Sequence, residues 1–427
     1  MALRRGATVG RVRAGRSLLV VAALVLAGCG TGAGQDGKLR LTVATFGEFG
    51  YEPLFAEYER ANPGIDVVGR VADFDSHHKG LITALAAGRG AADVVAVEEQ
   101  YMPRLRQSTD KFADLAQFGA GELRDRWVPW KWAQGVSGET VVGLGTDMGG
   151  LAMCYRRDLF ARAGLPTDRD QVAALWPTWE HYAELAERFA QRVDDAEFVD
   201  SAGAVYTAVL NQAEENYFAK SDDSFIGDTN PNVRRAFRIA GGIGAKGWTA
   251  RVTTFTQPWN AAINQGRFAT TTCPAWMLAQ IEQAGGPEGA GRWDVTAIPG
   301  GAGNWGGSYL TVPSQGAHQR ESYRLAEWLT APQQQKKLFV QAGILPSQPE
   351  VYQDPVVLEH RDPYFGDAPV GRLFAASSDS VRPNHRGVRD ADVRPVFGQA
   401  LGRVEDGAQT VDQAWEQAVR EAKTILG

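Results

Sequence analysis

The chain has 427 residues, of which 44% are hydrophobic and 22% charged, an ordinary globular composition that excludes collagen-like, coiled-coil and disordered classes. Its length exceeds what one hydrophobic core usually serves, so two lobes are expected. The net charge is −6, and an acidic body excludes nucleic acid as a partner, because phosphate binding needs a basic surface.

Arg4, Arg5, Arg11, Arg13 and Arg16 precede an apolar run from Leu18 to Ala27. That run is too short to span a bilayer as a mature helix and matches the core of a signal peptide over 1–28. It ends in Leu26-Ala27-Gly28-Cys29, which resembles the bacterial lipobox, whose cysteine is lipidated and becomes the new N-terminus. A plain signal peptide with an incidental Cys29 is the alternative. Residues 29–37 are Gly-rich and read as a flexible tether.

Leu39 to Phe46 alternates as a strand, and Gly47 to Gly50 breaks it. Tyr51 to Ala61 reads as a helix stopped by Asn62-Pro63-Gly64. Ile65 to Val71 is a second strand, His78 to Ala87 a second helix, and Asp93 to Val97 a third, wholly apolar strand. Strands alternating with helices predict βαβ units and a parallel sheet. Val141 to Gly145 leads into Thr146-Asp147-Met148-Gly149-Gly150, and Leu151 to Tyr155 resumes as a strand. Trp179 to Val193 is an amphipathic helix that Thr178 can cap. Ala202 to Ala245 reads as mostly helical, broken near 222–231. Helices at 258–265 and 276–284 alternate with strands at 268–272 and 293–298. A Gly-rich crossing follows at 299–307, then helices at 319–329 and 333–342. Residues 353–398 read as turn-rich, and 411–426 as a final helix. Cys154 and Cys273 fall in two strand-like runs, so an exported chain can bridge them or keep two buried thiols. Glycines at the two crossings can absorb the φ/ψ changes of a hinge.

Five segments in order resemble the extracellular solute-binding proteins of bacterial ABC importers, within the sugar- and oligosaccharide-binding group that includes maltose-binding protein. They are FAEYERANPGIDV at 55–67, LITALAAGRGAADVVAVEE at 81–99, and GGLAMCYRRDLFARAGLPTD at 149–168 with WPTWEHYAELAERF at 176–189. WNAAINQGRFATTTCPAWM at 259–277 follows, then IPGG at 298–301 with QAGILPSQPE at 341–350. Cys273-Pro274-Ala275-Trp276 departs from the family's usual Gly-x-Trp turn. The resemblance implies an α/β, type II fold of two lobes joined by a hinge. Lobe one would be 38–147 with 305–345, and lobe two 151–300 with 348–427. It implies a sugar held between them and no catalysis. The expected partners are an oligosaccharide, the permease subunits and the membrane through the lipid anchor. A monomer on the outer face of the cell membrane is expected, with no cofactor.

A neutral sugar offers hydroxyls and flat C–H faces, so a site needs aromatic planes with carboxylates or other strong hydrogen-bonding groups. Ligands of doubly wound sheets lie beyond the carboxyl ends of strands. That selects Glu48 and Tyr51 after the first strand, Asp75 and His78 after the second, and Glu98 after the third. Asp147 sits in the first crossing and Trp305 in the second. Aromatics at positions matching Trp259 and Trp276 stack on sugars in the family; core packing is the alternative for both. Asn384, His385 and Arg386 lie in the irregular stretch and can add polar contacts. Trp127, Trp130 and Trp132 form a cluster without an assigned role. Adjacent His77 and His78 lack a third ligand at metal-binding spacing, so no metal is expected. An extracellular carbohydrate-active enzyme is the alternative class, but adjacent Glu98 and Glu99 point oppositely along a strand, a poor acid/base pair. A receptor for a non-sugar solute is a further alternative.

Overall fold

The computed structural model describes residues 37–427, so the signal segment, Cys29 and nearly all of the expected tether lie outside the described residues. Its strands in chain order are β1 (Leu39–Phe46), β2 (Ile65–Ala72), β3 (Val94–Glu98), a hairpin of β4 (Val136–Ser137) and β5 (Thr140–Val141), and β6 (Gly143–Gly145). Then come β7 (Leu151–Arg156), β8 (Glu197–Val199), β9 (Phe268–Pro274), β10 (Trp293–Thr296) and β11 (Ser308–Thr311). Two larger sheets form, ordered β2-β1-β3-β11-β6 and β10-β7-β9-β8. Each anchors one lobe of a two-lobed α/β fold.

The first lobe begins as the sequence predicts. Pro53 sits in the first turn of the helix Glu52–Ala61, where its missing N–H costs nothing. Asp73 caps the helix Phe74–Ala87 by accepting from Ser76 N, and Gly88 ends it at φ 66°, the left-handed stop that glycine tolerates. β1 runs parallel to β2 and β3. Val94 to Val97 are all buried, because helices cover both faces of this sheet.

The expectation of parallel pairing holds for those three strands and for β8 beside β9 in the other sheet, but not beyond them. β11 runs antiparallel to both β3 and β6, and β7 runs antiparallel to β9 and β10. The physical reason is re-entry: β11 returns from the other lobe, so its direction is set by the crossing and not by a βαβ turn. A second correction concerns 353–398. The helices Val370–Asp379 and Asp390–Glu405 occupy much of it. Pro395, in the second turn of its helix, interrupts the sequence signal, because a proline there lacks the N–H that would bond the preceding turn. The helical stretch from 202 also ends sooner, at Leu210, and resumes at Pro231.

In the second lobe, Trp179, Tyr182, Leu185 and Phe189 share the buried face of the helix Trp179–Ala190, which Thr178 caps. They pack with Phe160, Phe198 and Phe237 on one side of its sheet. Trp259, Ile263, Trp293 and Phe374 fill the other side. Cys154 and Cys273 face each other on neighbouring strands and form a disulfide.

Candidate functional site

Three stretches cross between the lobes. Met148 N donates to Leu345 O at 2.9 Å, Ser347 N to Thr146 O at 3.2 Å, and Trp305 N to Gly149 O at 2.8 Å. So 146–149, 303–307 and 345–347 lie side by side. A β-carbon on Gly149 would stand 1.7 Å from Trp305 O, so no side chain fits there. Gly307 has φ 125°, and a β-carbon there would stand 2.6 Å from Asp147 O.

The polar floor beside these crossings comes from the carboxyl end of β3. Glu98 Oε2 accepts from Gln100 N at 2.8 Å, while Oε1 faces Gly306, where a β-carbon would lie 3.4 Å away. Burial, then the neighbouring Glu99, pushes the Glu98 carboxyl above its ordinary range. Glu99 turns the other way. It accepts from Asn304 Nδ2 at 2.8 Å and from Arg386 Nη2 at 3.3 Å. Arg386 also donates to Asn211 Oδ1 at 2.9 Å and lies 3.6 Å from Asp390. Glu99 belongs to the first lobe and Arg386 to the second, so a buried ion pair spans the cleft. Arg104 and Asp392 repeat the contact at the surface, 3.6 Å apart.

Lys131 lies fully buried behind Gly307, its Nζ 4.2 Å over the Tyr309 ring. Its ammonium has no hydrogen-bond partner. Burial lowers its pKa, while Asp147, Glu99 and Glu98 pull it back up. Four carboxyl groups, those of Glu98, Glu99, Asp147 and Asp390, thus surround two cations, and of the four Glu98 is the one that is partly exposed.

Trp276 and Trp305 stand together at the crossings, half-buried, with centroids 6.1 Å apart and planes at 77°. The Trp276 indole nitrogen lies near Gly149. Phe255 touches both. The structure therefore brings Glu98, Trp276, Trp305, Asp147 and Arg386 to one place.

The other candidates sit elsewhere. Trp259 is fully buried, and its indole donates to Asp200 at 3.0 Å; it is a core residue, because its helix turns that face onto the sheet. Tyr51 is buried with an unpartnered hydroxyl, whose pKa burial raises. Glu48 is exposed on its loop, and Asp75 is exposed and paired with Lys79. Asp147, although beside the tryptophan pair, turns its carboxyl into the crossing, accepting from Thr146 Oγ1 and Ser308 N. Asn384 donates to Leu210 O and Ala213 O, and His385 faces Asp223. Trp127 is core and donates to Gly145 O, with Trp132 stacked on it.

His78 supports the site without lining it. Its Nδ1 hydrogen-bonds Phe74 O at 2.8 Å, and its Nε2 accepts from Glu98 N at 3.1 Å. Tyr101 stacks on the ring at 4.1 Å. These partners require a neutral ring protonated at Nδ1. Burial lowers its pKa to about 4.

Sequence reasoning missed Glu99, Lys131, Asn211, Asn304 and Phe255. Glu99 was legible as the neighbour of Glu98, but nothing local signals a partner 287 residues away.

A family model described as bacterial extracellular solute-binding protein matches residues 53–362. A solved extracellular solute-binding protein of family 1 is 42% identical, covers 91% of this chain and 100% of its own, and superposes with a TM-score of 0.82. The ABC transporter-associated binding protein of B. animalis subsp. lactis, solved with β-1,6-galactobiose, is 19% identical, covers 90% of this chain and 98% of its own, with a TM-score of 0.77. An arabinooligosaccharide-binding protein of Halalkalibacterium halodurans is 22% identical over 71% of this chain and 69% of its own length.

Proposed function

Because this chain belongs to the bacterial extracellular solute-binding protein family, we propose that it is the oligosaccharide receptor of an ABC importer. The observation that carries this reading is the pairing of half-buried Trp276 and Trp305 beside the partly exposed Glu98 at the lobe crossings. Indole faces take the apolar faces of sugar rings, and a carboxyl group exchanges hydrogen bonds with hydroxyls. The arabinooligosaccharide and β-1,6-galactobiose receptors among the similar proteins support the same ligand class.

Lobe one comprises 38–147 with 305–345 and lobe two 151–300 with 348–427, the hinge lying in the crossings. A sugar touching both lobes stabilises the closed form by its differential affinity for it, and the permease subunits recognise that form. Lipid on Cys29 holds the monomeric receptor at the outer face of the cell membrane, with 29–37 as tether. It performs no chemistry on the sugar.

The test is a titration of the purified protein with maltose, β-1,6-galactobiose, lacto-N-biose and arabino-oligosaccharides, followed by thermal unfolding. A sugar at 100 times its Kd raises stability by about 2.7 kcal/mol. No shift with any of them overturns the sugar assignment. Release of shorter sugars during incubation overturns the receptor assignment in favour of an enzyme.

A further inference from the structure

The loop entering the helix Gln257–Gln265 holds two non-glycine residues in the left-handed region, Arg251 at φ 56° and Phe255 at φ 67°. For a bulky side chain this backbone is an outlier, and it persists only where surrounding structure imposes it. The surroundings do so. Ala250 N donates to Val199 O and Val252 N to Asp200 O. Thr256, next to Phe255, caps the helix and donates its hydroxyl to Thr253 O at 2.6 Å. Asp200 is itself fixed in the core by Ser201 N, the Trp259 indole and the Thr271 hydroxyl. The loop is therefore pinned on both sides of the strained residue.

The strain holds an aromatic ring exposed beside the crossings. Phe255 is 47% exposed, so burial of its own ring does not account for the backbone. Its centroid lies 5.6 Å from Trp276 and 6.2 Å from Trp305. Trp259, 5.8 Å away, supports it from the core side. Three rings of different tilt thus form one wall at the crossings, with Phe255 its most exposed member.

We propose that Phe255 is a ligand-contacting residue that takes the apolar face of a sugar ring, extending the surface formed by Trp276 and Trp305. This rests on the oligosaccharide-receptor reading above. The ring is offered in place before ligand arrives, so little side-chain freedom is lost on binding.

The experiment compares wild type with F255A, F255G and F255Y by calorimetric titration with maltose, β-1,6-galactobiose, lacto-N-biose and arabino-oligosaccharides, and by melting. F255A and F255G bind the sugar preferred by wild type about tenfold more weakly, the loss of one aromatic contact. F255Y keeps the aromatic face and binds as wild type. F255G melts roughly 2–4 °C above F255A, because glycine takes the left-handed backbone without penalty. A ring that merely packs gives affinities that follow the melting temperatures, with F255G closer to wild type than F255A. That pattern, or a wild-type Kd in both truncations, overturns the proposal while leaving the receptor reading intact. A wild type that binds none of the four sugars overturns that reading and this proposal together.

Discussion

Replacing Arg386 by Met probes the contact that ties the lobes. In the wild type the guanidinium is buried against Glu99, Asn211 and Asp390. R386M keeps most of the side-chain volume and removes the charge. Glu99 keeps its bond from Asn304, and Asp390 keeps Arg394 at 3.3 Å, but both carboxylates lose their shared cation. Breaking a buried pair from one side costs about 3–5 kcal/mol. At pH 8 the lower figure corresponds to a Tm drop of roughly 6–12 °C, at 2–4 °C per kcal/mol. The pH dependence separates a charge effect from a packing effect. Burial already raises Asp390 to about 6 against the pull of Arg386. Without the guanidinium both carboxyls rise further. A carboxyl whose folded pKa lies above its unfolded value supports the fold at low pH and ceases to do so as pH rises through the folded pKa. The R386M deficit is therefore largest at pH 8 and shrinks towards pH 5. Small-angle scattering of unliganded protein should also show R386M more extended than wild type, since an interlobe tie is gone. An R386M protein with wild-type Tm at pH 8, or a deficit independent of pH, refutes the reasoning.

Reducing the Cys154–Cys273 bridge, which closes a loop of sequence separation 119, should lower stability by about 2–4 kcal/mol; melting with and without dithiothreitol measures it, and C154S/C273S should not respond to the reductant. Trp259→Ala, which empties a fully buried site, costs about 3–5 kcal/mol, read by denaturant unfolding. Trp276→Ala should instead abolish sugar binding with a smaller loss of stability, read by titration. Acid weakens the fold between pH 6.5 and 4, because unfolded His78 accepts a proton that the folded ring, held near 4, refuses. Integrated over that window the loss is on the order of 3 kcal/mol, and His78→Gln should flatten the slope of stability against pH.

The first three strands and their helices were legible because each is coded locally. β1 alternates, β3 is wholly apolar, and Asp73, Gly88 and Thr178 mark helix ends with their own chemistry. The glycines of the crossings were legible for the same reason. Trp276 was legible as an aromatic at a chain position matching the resembled family, Trp305 as an aromatic in the second Gly-rich crossing, and Glu98 as a strand-end carboxylate. Trp259 was not, since an indole at a helix start looks the same in sequence whether its helix turns it to a cleft or to a core. Two helices in 353–398 were hidden by Pro395 and by a stretch of polar turns.

The sequence by itself determined the two-lobed α/β plan, the Gly-rich crossings and the aromatic and acidic residues placed beside them, because periodicity, capping and turn residues act over a few positions. Only the tertiary structure decided that Glu98 stays partly exposed, that Glu99 is tied off by Arg386, and that the ring of Phe255 is held exposed. Those outcomes depend on contacts between residues distant in the chain, as far as 287 positions apart for Glu99 and Arg386. No local preference encodes them; they follow from how the two sheets and their three crossings pack.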